Sequence, residues 1–303
     1  MRSLLFLLLA GSVFYACEKD GGSTAMQSTE LGNRYQLFTA GGSGDMVQPG
    51  DFVYFHAAMR TEGDSTLFST RTGGGELPVI QAAETTATAD EIGPVEDVVR
   101  NMRVGDSAVV RVNIDAFPAK PPGMENDSVV LYDVIVTEIV SEADFTARQE
   151  AKQAEAAAKA EKIRALEPER LAFAAKVVTD YRAGKLDGDI KATESGLKYI
   201  IHEEGTGPQA EAGKGVVVQY IGQLAKDGEV FDQSFGRGEG IPFQLGTGRV
   251  IRGWDEGIAL LKEGAKATFF IPAELGYGAQ GTPDGSIPAN SELVFYVELE
   301  EVQ

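Results

Sequence analysis

The sequence predicts an α+β protein built from two mostly antiparallel sheets, each wrapped on one short helix, with a long helical arm between them. Three observations carry this. Residues 31–140 and 195–303 consist of short runs of β-branched and aromatic residues separated by glycine, proline and polar turns. Ala143 to Lys185 is rich in Ala, Glu, Lys and Arg and holds no glycine before Gly184, the composition of a helix. The order of elements in the first sheet region then recurs in the second, as expected of two copies of one fold.

Composition bounds the function. A chain of 303 residues with 43% apolar content can fill two ordinary cores. A formal charge of -19 argues against nucleic acid or an anionic surface as a partner, because either would repel the chain. The two histidines, His56 and His202, lie far apart, and Cys17 is the sole cysteine. A His/Cys metal cage and an internal disulfide are therefore excluded. No metal or cofactor is expected, and both histidines read as structural or surface residues.

Residues 1–17 carry basic Arg2, an apolar run from Leu4 to Leu9 and small or neutral residues before the cysteine. That run is too short for a bilayer span, which takes about 20 residues, and reads as a secretory signal peptide. Its end, Phe14-Tyr15-Ala16-Cys17, resembles a bacterial lipobox with phenylalanine in the usual leucine position. Cys17 is then the lipidated N-terminus. Residues 18–30 form a polar tether of about 20 Å by random-coil scaling. Residues 31–142 read as the first domain, with strands at Phe52 to Phe55, Ala108 to Val112 and Val129 to Ile139 and a helix from Val95 to Met102 closed at Gly105. Residues 143–194 read as a helical linker, a solvated spacer through Leu166 followed by a second helix with Pro168 in its first turn. Leu171, Ala175 and Val178 share one face of that helix and are expected to dock on a domain. A continuous arm would reach roughly 60 Å at 1.5 Å per residue.

The last domain, residues 195–303, is organised around Val250-Ile251-Arg252-Gly253-Trp254, where an apolar strand end turns into a helix holding the only tryptophan. Ile258, Leu260 and Leu261 recur at helical spacing, and Gly264 is a natural stop. Strands are expected at Leu197 to His202, Val216 to Leu224, Ala267 to Ile271 and Leu293 to Val302. Set in register with the first domain, Gly50 to Ala57 stands beside Gly215 to Gly222, Val95 to Gly105 beside Trp254 to Gly264, and Tyr132 beside Phe295. Tyr277, flanked by glycines in a long Gly/Pro-rich loop, is hard to bury, and loops of that kind carry sites.

These residues carry a resemblance. Tyr220-Ile221-Gly222, Val230-Phe231-Asp232-Gln233-Ser234, the Val250 to Trp254 run, Tyr277-Gly278-Ala279 and Leu293-Val294-Phe295 resemble the FKBP family of peptidyl-prolyl cis-trans isomerases over about Gly196 to Gln303. The resemblance implies an antiparallel half-barrel wrapped on a short helix, with an apolar pocket between them. Trp254 would floor that pocket, and Tyr220, Phe231, Phe243, Val250, Ile251, Ile287 and Phe295 would wall it. Asp232, Tyr277 and the Ile251 N–H would supply its polar contacts, so that Asp232, Tyr277, Ile251 and Trp254 are the expected catalytic set. Taken alone, Asp232 reads as a turn or ion-pair residue with Arg237 as its partner.

The family pattern departs at Gly281 to Ser286, a longer loop with Thr282 where a histidine often stands. It fails in the first domain, where this register sets Phe55 opposite Tyr220, Ser69 opposite Asp232 and Val95 opposite Trp254, and where Phe117-Pro118 brings no counterpart of Tyr277. The expected protein is therefore a bacterial lipoprotein of the cell envelope, anchored at the periplasmic face or cell surface and assigned to the outer membrane, with a degenerate first copy. Its second copy would isomerise X-Pro bonds of unfolded or partly folded exported polypeptides and could take a macrolide ligand. The alternative is a non-catalytic peptide-binding chaperone or adaptor.

Overall fold

A computed structural model describes residues 25–39, 44–73, 76–115, 117–120 and 122–303. The expected signal peptide, Cys17 and the expected tether up to residue 24 lie outside the described residues. The chain divides into two compact units, Met1–Glu150 and Ala151–Gln303.

The first unit holds β1 (Met26–Ser28), β2 (Arg34–Phe38), β3 (Phe52–Thr61), β4 (Thr66–Ser69), α1 (Thr70–Gly73), β5 (Val79–Gln81), α2 (Pro94–Val99), β6 (Ser107–Asn113) and β7 (Val129–Val140). Its sheet runs β1-β2-β6-β7-β3-β4, with β5 also paired to β3, every pair antiparallel. Along β6, Ala108, Val110 and Val112 are buried and alternate with half-buried residues, the period of a strand with one face on a core. That core gathers Val98 and Val99 of α2 under Val53, Phe55, Val110 and Val134. Four strands of this unit, β1, β2, β4 and β5, go beyond the sequence reading. Met26–Ser28, assigned above to the tether, pairs with Arg34–Phe38 through a turn at Gly32, where φ is 85°.

α3 (Glu142–Arg182) is one helix and not two. Pro168 lies inside it, and not in the first turn of a second helix. Pro168 and Arg164, whose carbonyl loses its intrahelical donor, are both exposed, so water can satisfy the freed group. The first turns of α3 belong to the first unit, where Phe145 stacks on Phe52 with ring centroids 3.7 Å apart.

The second unit adds β8 (Lys191–Ala192), β9 (Lys198–Glu203), β10 (Gly215–Leu224), β11 (Val230–Gln233), β12 (Ile241–Gln244), α4 (Arg252–Ile258), β13 (Lys266–Ile271) and β14 (Leu293–Val302). Its sheet runs β8-β9-β13-β14-β10-β11, with β12 also paired to β10. This sheet is covered on both faces, and the strand alternation sorts its residues between them. Tyr220, Phe269 and Phe295 face α4, with Trp254 and Ile258. Ile221, Phe270, Val294 and Tyr296 point the other way, onto Ile163, Ala174, Val177 and Val178 of α3. The compact unit thus takes in most of the arm expected as a linker. Ala175, placed on the docking face by the sequence reading, is exposed; Ala174 occupies that face instead, in step with Leu171 and Val178 at three- and four-residue spacing. α4 is also shorter than its apolar spacing suggests. It ends at Ile258, and Leu260 is exposed in the turn that leads to Gly264.

The two sheets share their register irregularities. The β3/β7 ladder shifts between Tyr54 and Phe55, and the β10/β14 ladder between Val217 and Val218. The β3/β4 ladder shifts between Met59 and Arg60, and the β10/β11 ladder between Gly222 and Gln223. Gly50 and Gly213, with φ of 86° and 90°, occupy the turns before β3 and β10. Their N–H groups donate to Ala82 and Leu245. Gly50 therefore matches Gly213 and not Gly215, which moves the β3 alignment by two residues. Ala57, not Phe55, stands opposite Tyr220, and Phe68, not Ser69, opposite Asp232. Tyr132 stays beside Phe295. Counting back from Gly105 and Gly264, which both hold φ near 88° and 87°, keeps Val95 opposite Trp254.

Candidate functional site

The site forms between α4 and the face of the second sheet that it covers. Ile251 caps α4 in an extended conformation, φ -61° and ψ 151°, which drops Trp254 of the first turn against the sheet. Around the indole stand Tyr220 of β10 at 5.1 Å and 82°, Phe295 of β14 at 5.3 Å and 85°, and Phe243 of β12 at 5.9 Å. Phe231 of β11 meets Phe295 edge to face at 5.5 Å. Ile287 is buried in the same cluster, with Val250 and Ile251 half-buried at its border. Edge-to-face pairs set each ring's positive rim against a neighbour's negative face, so this box is fixed by electrostatics as well as by area. Gly222 is what allows it: a Cβ there would come within 2.6 Å of the Phe231 ring and 2.8 Å of Phe295.

Polar groups gather along one edge. The Tyr220 hydroxyl donates to Asp232 Oδ2 and accepts from Arg237 Nη2 at 2.8 Å, while Arg237 Nη1 donates to Asp232 Oδ1 at 2.8 Å. The Gln233 N–H also donates to Oδ1 at 2.8 Å. Burial by itself pushes the Asp232 carboxyl up, but the bonds from Tyr220 and Arg237 outweigh it and hold the group below the usual carboxylate range. The Tyr220 hydroxyl is pushed up to about 12, by burial first and then by its bond to Asp232. Asp232 is thus a fixed charge and Tyr220 a fixed proton donor at neutral pH.

Tyr277 stands at the rim, 41% exposed. Its hydroxyl is raised by burial and then by the charges of Asp232 and Asp284, so it keeps its proton. Among the described residues, the Ile251 N–H donates to no protein carbonyl and Trp254 Nε1 is buried without an acceptor. The loop beyond Tyr277 is tied by its own bonds. The Thr282 hydroxyl accepts the Ile287 N–H at 3.0 Å, the Thr282 N–H donates to the Ile287 carbonyl at 2.9 Å, and Asp284 accepts from the Ser286 N–H and hydroxyl. Thr282, where a histidine often stands in the family, here anchors the segment that seats Ile287.

The structure gathers the predicted residues in one place, with Tyr277 and Asp232 at the edge and the aromatics inside. The sequence reading set Arg237 beside Asp232 as an ion-pair partner, but its bond to Tyr220 went unread. Buried Ser234 stands in the motif quoted above but was given no role there. Its hydroxyl accepts the Tyr220 N–H at 2.8 Å and donates to Gln219, pinning the strand at the pocket edge. A serine two residues after an aspartate carries no signal until the strands are paired. Two open clefts elsewhere on the unit, at Val177 and His202 and at Tyr181 and Asn290, hold none of these residues. No group of three or more His, Cys, Asp or Glu side chains suited to a metal ion occurs among the described residues.

A family model described as FKBP-type peptidyl-prolyl cis-trans isomerase matches residues 207–300. A probable FKBP-type peptidyl-prolyl cis-trans isomerase of Haemophilus influenzae is 45% identical over 127 residues, 42% of this chain and 50% of that protein. FK506-binding protein 1B of Neurospora crassa is 46% identical over 114 residues, 36% of this chain and 99% of that protein. The crystal structure of FkpA from Escherichia coli is 37% identical, with a TM-score of 0.37, covering 54% of this chain and 71% of that one. The chain therefore spans half the length of the Haemophilus protein and nearly all of the Neurospora one.

Proposed function

The chain belongs to the FKBP-type peptidyl-prolyl cis-trans isomerase family, and on that premise we propose that its second unit speeds cis-trans isomerisation of X-Pro bonds in exported polypeptides. The observation that carries this is the aromatic box floored by Trp254 with fixed polar groups along one edge. An amide resists twisting by about 18–20 kcal/mol because its resonance must be broken, and an X-Pro bond turns unaided in tens to hundreds of seconds. A thousandfold acceleration removes only about 4 kcal/mol, and no nucleophile or proton transfer is needed.

The box takes the proline ring, and its low polarity disfavours the charge-separated planar amide. Groups already held in place then bind the twisted carbonyl without reorganising. The Ile251 N–H and the Tyr277 hydroxyl are the donors assigned to the peptide carbonyls. Asp232 keeps Tyr220 and Arg237 oriented and supplies a charge that complements the developing dipole. The same box suits an apolar macrolide ligand; the Neurospora relative is named for binding FK506.

The first unit reads as a degenerate FKBP-like domain, retained for binding or spacing. Support comes from the shared strand order and ladder shifts together with the loss of the box: Ala57, Ile80 and Val95 stand where the second sheet and its helix have Tyr220, Phe243 and Trp254. The chain is assigned to the bacterial envelope, held by a lipid on Cys17. Among the described residues no helix is long and apolar enough to cross a membrane.

The test is isomerisation of a short X-Pro peptide by the full chain. Acceleration that falls with Asp232→Ala and with Tyr277→Phe supports the proposal. A folded chain without activity that still binds the peptide would leave the non-catalytic chaperone in its place. Loss of the membrane fraction on Cys17→Ser would test the anchor.

A further inference from the structure

The groups at the pocket edge hang from a weak piece of backbone. Asp232 is the next-to-last residue of β11, and Arg237 belongs to a three-residue 3-10 turn, Phe235–Arg237, whose N-cap Ser234 makes no capping bond. The Arg237 side chain is 49% exposed. A long side chain on a short turn has much rotamer freedom to lose before it can hold one geometry. Something outside the turn has to fix its root.

That support is α3. Arg164 Nη2 donates to the Arg237 carbonyl at 3.0 Å. Glu167 Oε1 accepts from Gln233 Nε2 at 2.8 Å, and the other end of that amide, Oε1, accepts the Gly236 N–H at 2.8 Å. Phe235 is fully buried in the cluster that includes Ile163, Leu166 and Leu171 of the same helix. Two glycines let the backbones meet. A Cβ on Gly238, where φ is 82°, would lie 2.8 Å from the Ala160 carbonyl, and one on Gly236 would lie 2.9 Å from Glu167 Oε1. The hydrogen bonds of Arg164 and Glu167 and the close approaches at Gly236 and Gly238 thus all fall within the six residues that follow Asp232.

We propose that Arg164 and Glu167 of α3 are positioning residues for the prolyl site, setting the backbone from which Arg237 reaches Asp232 and Tyr220. The inference rests on the isomerase reading for its kinetic consequence, though not for its geometry. It makes this stretch of the arm a working part of the second unit, and it predicts that disturbing the helix changes turnover with no substitution near the pocket.

The test uses the full chain with Arg164→Ala and Glu167→Ala together, Glu167→Gln as the variant that keeps an acceptor oxygen, and Lys159→Ala as a control on the same helix, where Lys159 faces Glu300 at 3.7 Å. The paired variant is expected to lower kcat/KM about three- to tenfold, the scale of one ordinary hydrogen bond. The Asp232 carboxyl, followed by carbon NMR, should titrate closer to its ordinary value as Arg237 loosens. Glu167→Gln should restore most of the activity, and Lys159→Ala should change neither readout. In an Arg237→Ala background the paired variant should add almost nothing, because coupled groups fail additivity. An unmoved Asp232 titration, or an equal loss in the Arg237→Ala background, would overturn the proposal. If the unaltered chain has no isomerase activity, the proposed function fails while the Asp232 titration still decides the positioning role. Should the paired variant unfold, Gly238→Ala, which wedges the same contact, replaces it with the same expected results.

Discussion

The two sheets share one ladder and differ in what lies on each face. In the second unit Gly222 leaves room for Phe231 and Phe295, and Tyr220 and Trp254 complete the box. In the first unit Met59 holds the register position of Gly222, paired to Tyr132 as Gly222 is to Phe295. Met59 and Tyr132 pack into the core there, with Ala57 and Val95 beside them. One sheet sets a box of aromatic rings on that face, the other a mostly aliphatic layer. The opposite faces differ as well. Tyr296 of the second sheet lies under α3, whereas its register counterpart Asp133 pairs with Arg60 at 2.6 Å on a face of mostly half-buried residues. A strand order can be kept while its surfaces are rewritten, because ladder bonds are made by the backbone and surfaces by side chains.

The comparison is sharpened most by truncating the two helix residues that match. Trp254→Ala is expected to cost about 3–5 kcal/mol in urea unfolding of the second unit and to abolish activity, whereas Val95→Ala should cost the first unit much less and leave turnover unchanged. Next comes the exchange at the glycine. Gly222→Met should lower kcat/KM about a hundredfold or more by driving a side chain into the Phe231 and Phe295 rings. Met59→Gly should destabilise the first unit by about 2–4 kcal/mol without creating activity. Isomerase activity gained by that variant, measured with the second site silenced by Trp254→Ala, would break the claim that the first copy lacks more than space.

A smaller effect is expected at the edge. Asp232→Ala should reduce kcat/KM about tenfold by freeing Tyr220 and Arg237, while Phe68→Ala, at the matching position and 54% exposed, should change nothing in the peptide assay. Smallest is the response to pH. The Asp232 carboxyl is held low, so its contribution is present above the ordinary carboxylate value and is lost as pH falls through its lowered one. Tyr220 is pushed up to about 12, so its protonated form contributes fully below the ordinary tyrosine value and is lost only as pH rises through about 12. Turnover should therefore be flat from about pH 6 to about pH 9, and a bell-shaped profile in that window would point to a proton-transfer role that this site does not support.

Much of the site was legible through the family resemblance that its short motifs carry together. The lone tryptophan at a strand-to-helix junction and the glycine-flanked tyrosine stand out without a partner, whereas Phe231 and Asp232 gain a role only within the joint motif. The alignment of the two regions was less secure. Matching Gly50 to Gly215 put glycines side by side, but Gly50 is a turn residue at positive φ whose counterpart is Gly213, and only the paired strands reveal this. The β1/β2 hairpin escaped notice because three- and five-residue strands have too few side chains to establish a period.

By itself, the sequence determined the α+β class, the strands of the second unit and the helical arm, because propensity, alternation and side-chain type are properties of short segments, while the aromatic residues of the box were named through the family resemblance. Only the tertiary structure decided that the arm packs on the second sheet, that Arg237 closes a triangle with Asp232 and Tyr220, and that Arg164 and Glu167 hold the turn beneath it. The bonds of Tyr220, Arg164 and Glu167 join residues from 12 to 73 positions apart on different elements, and such meetings are set by how faces pack, which no local pattern records.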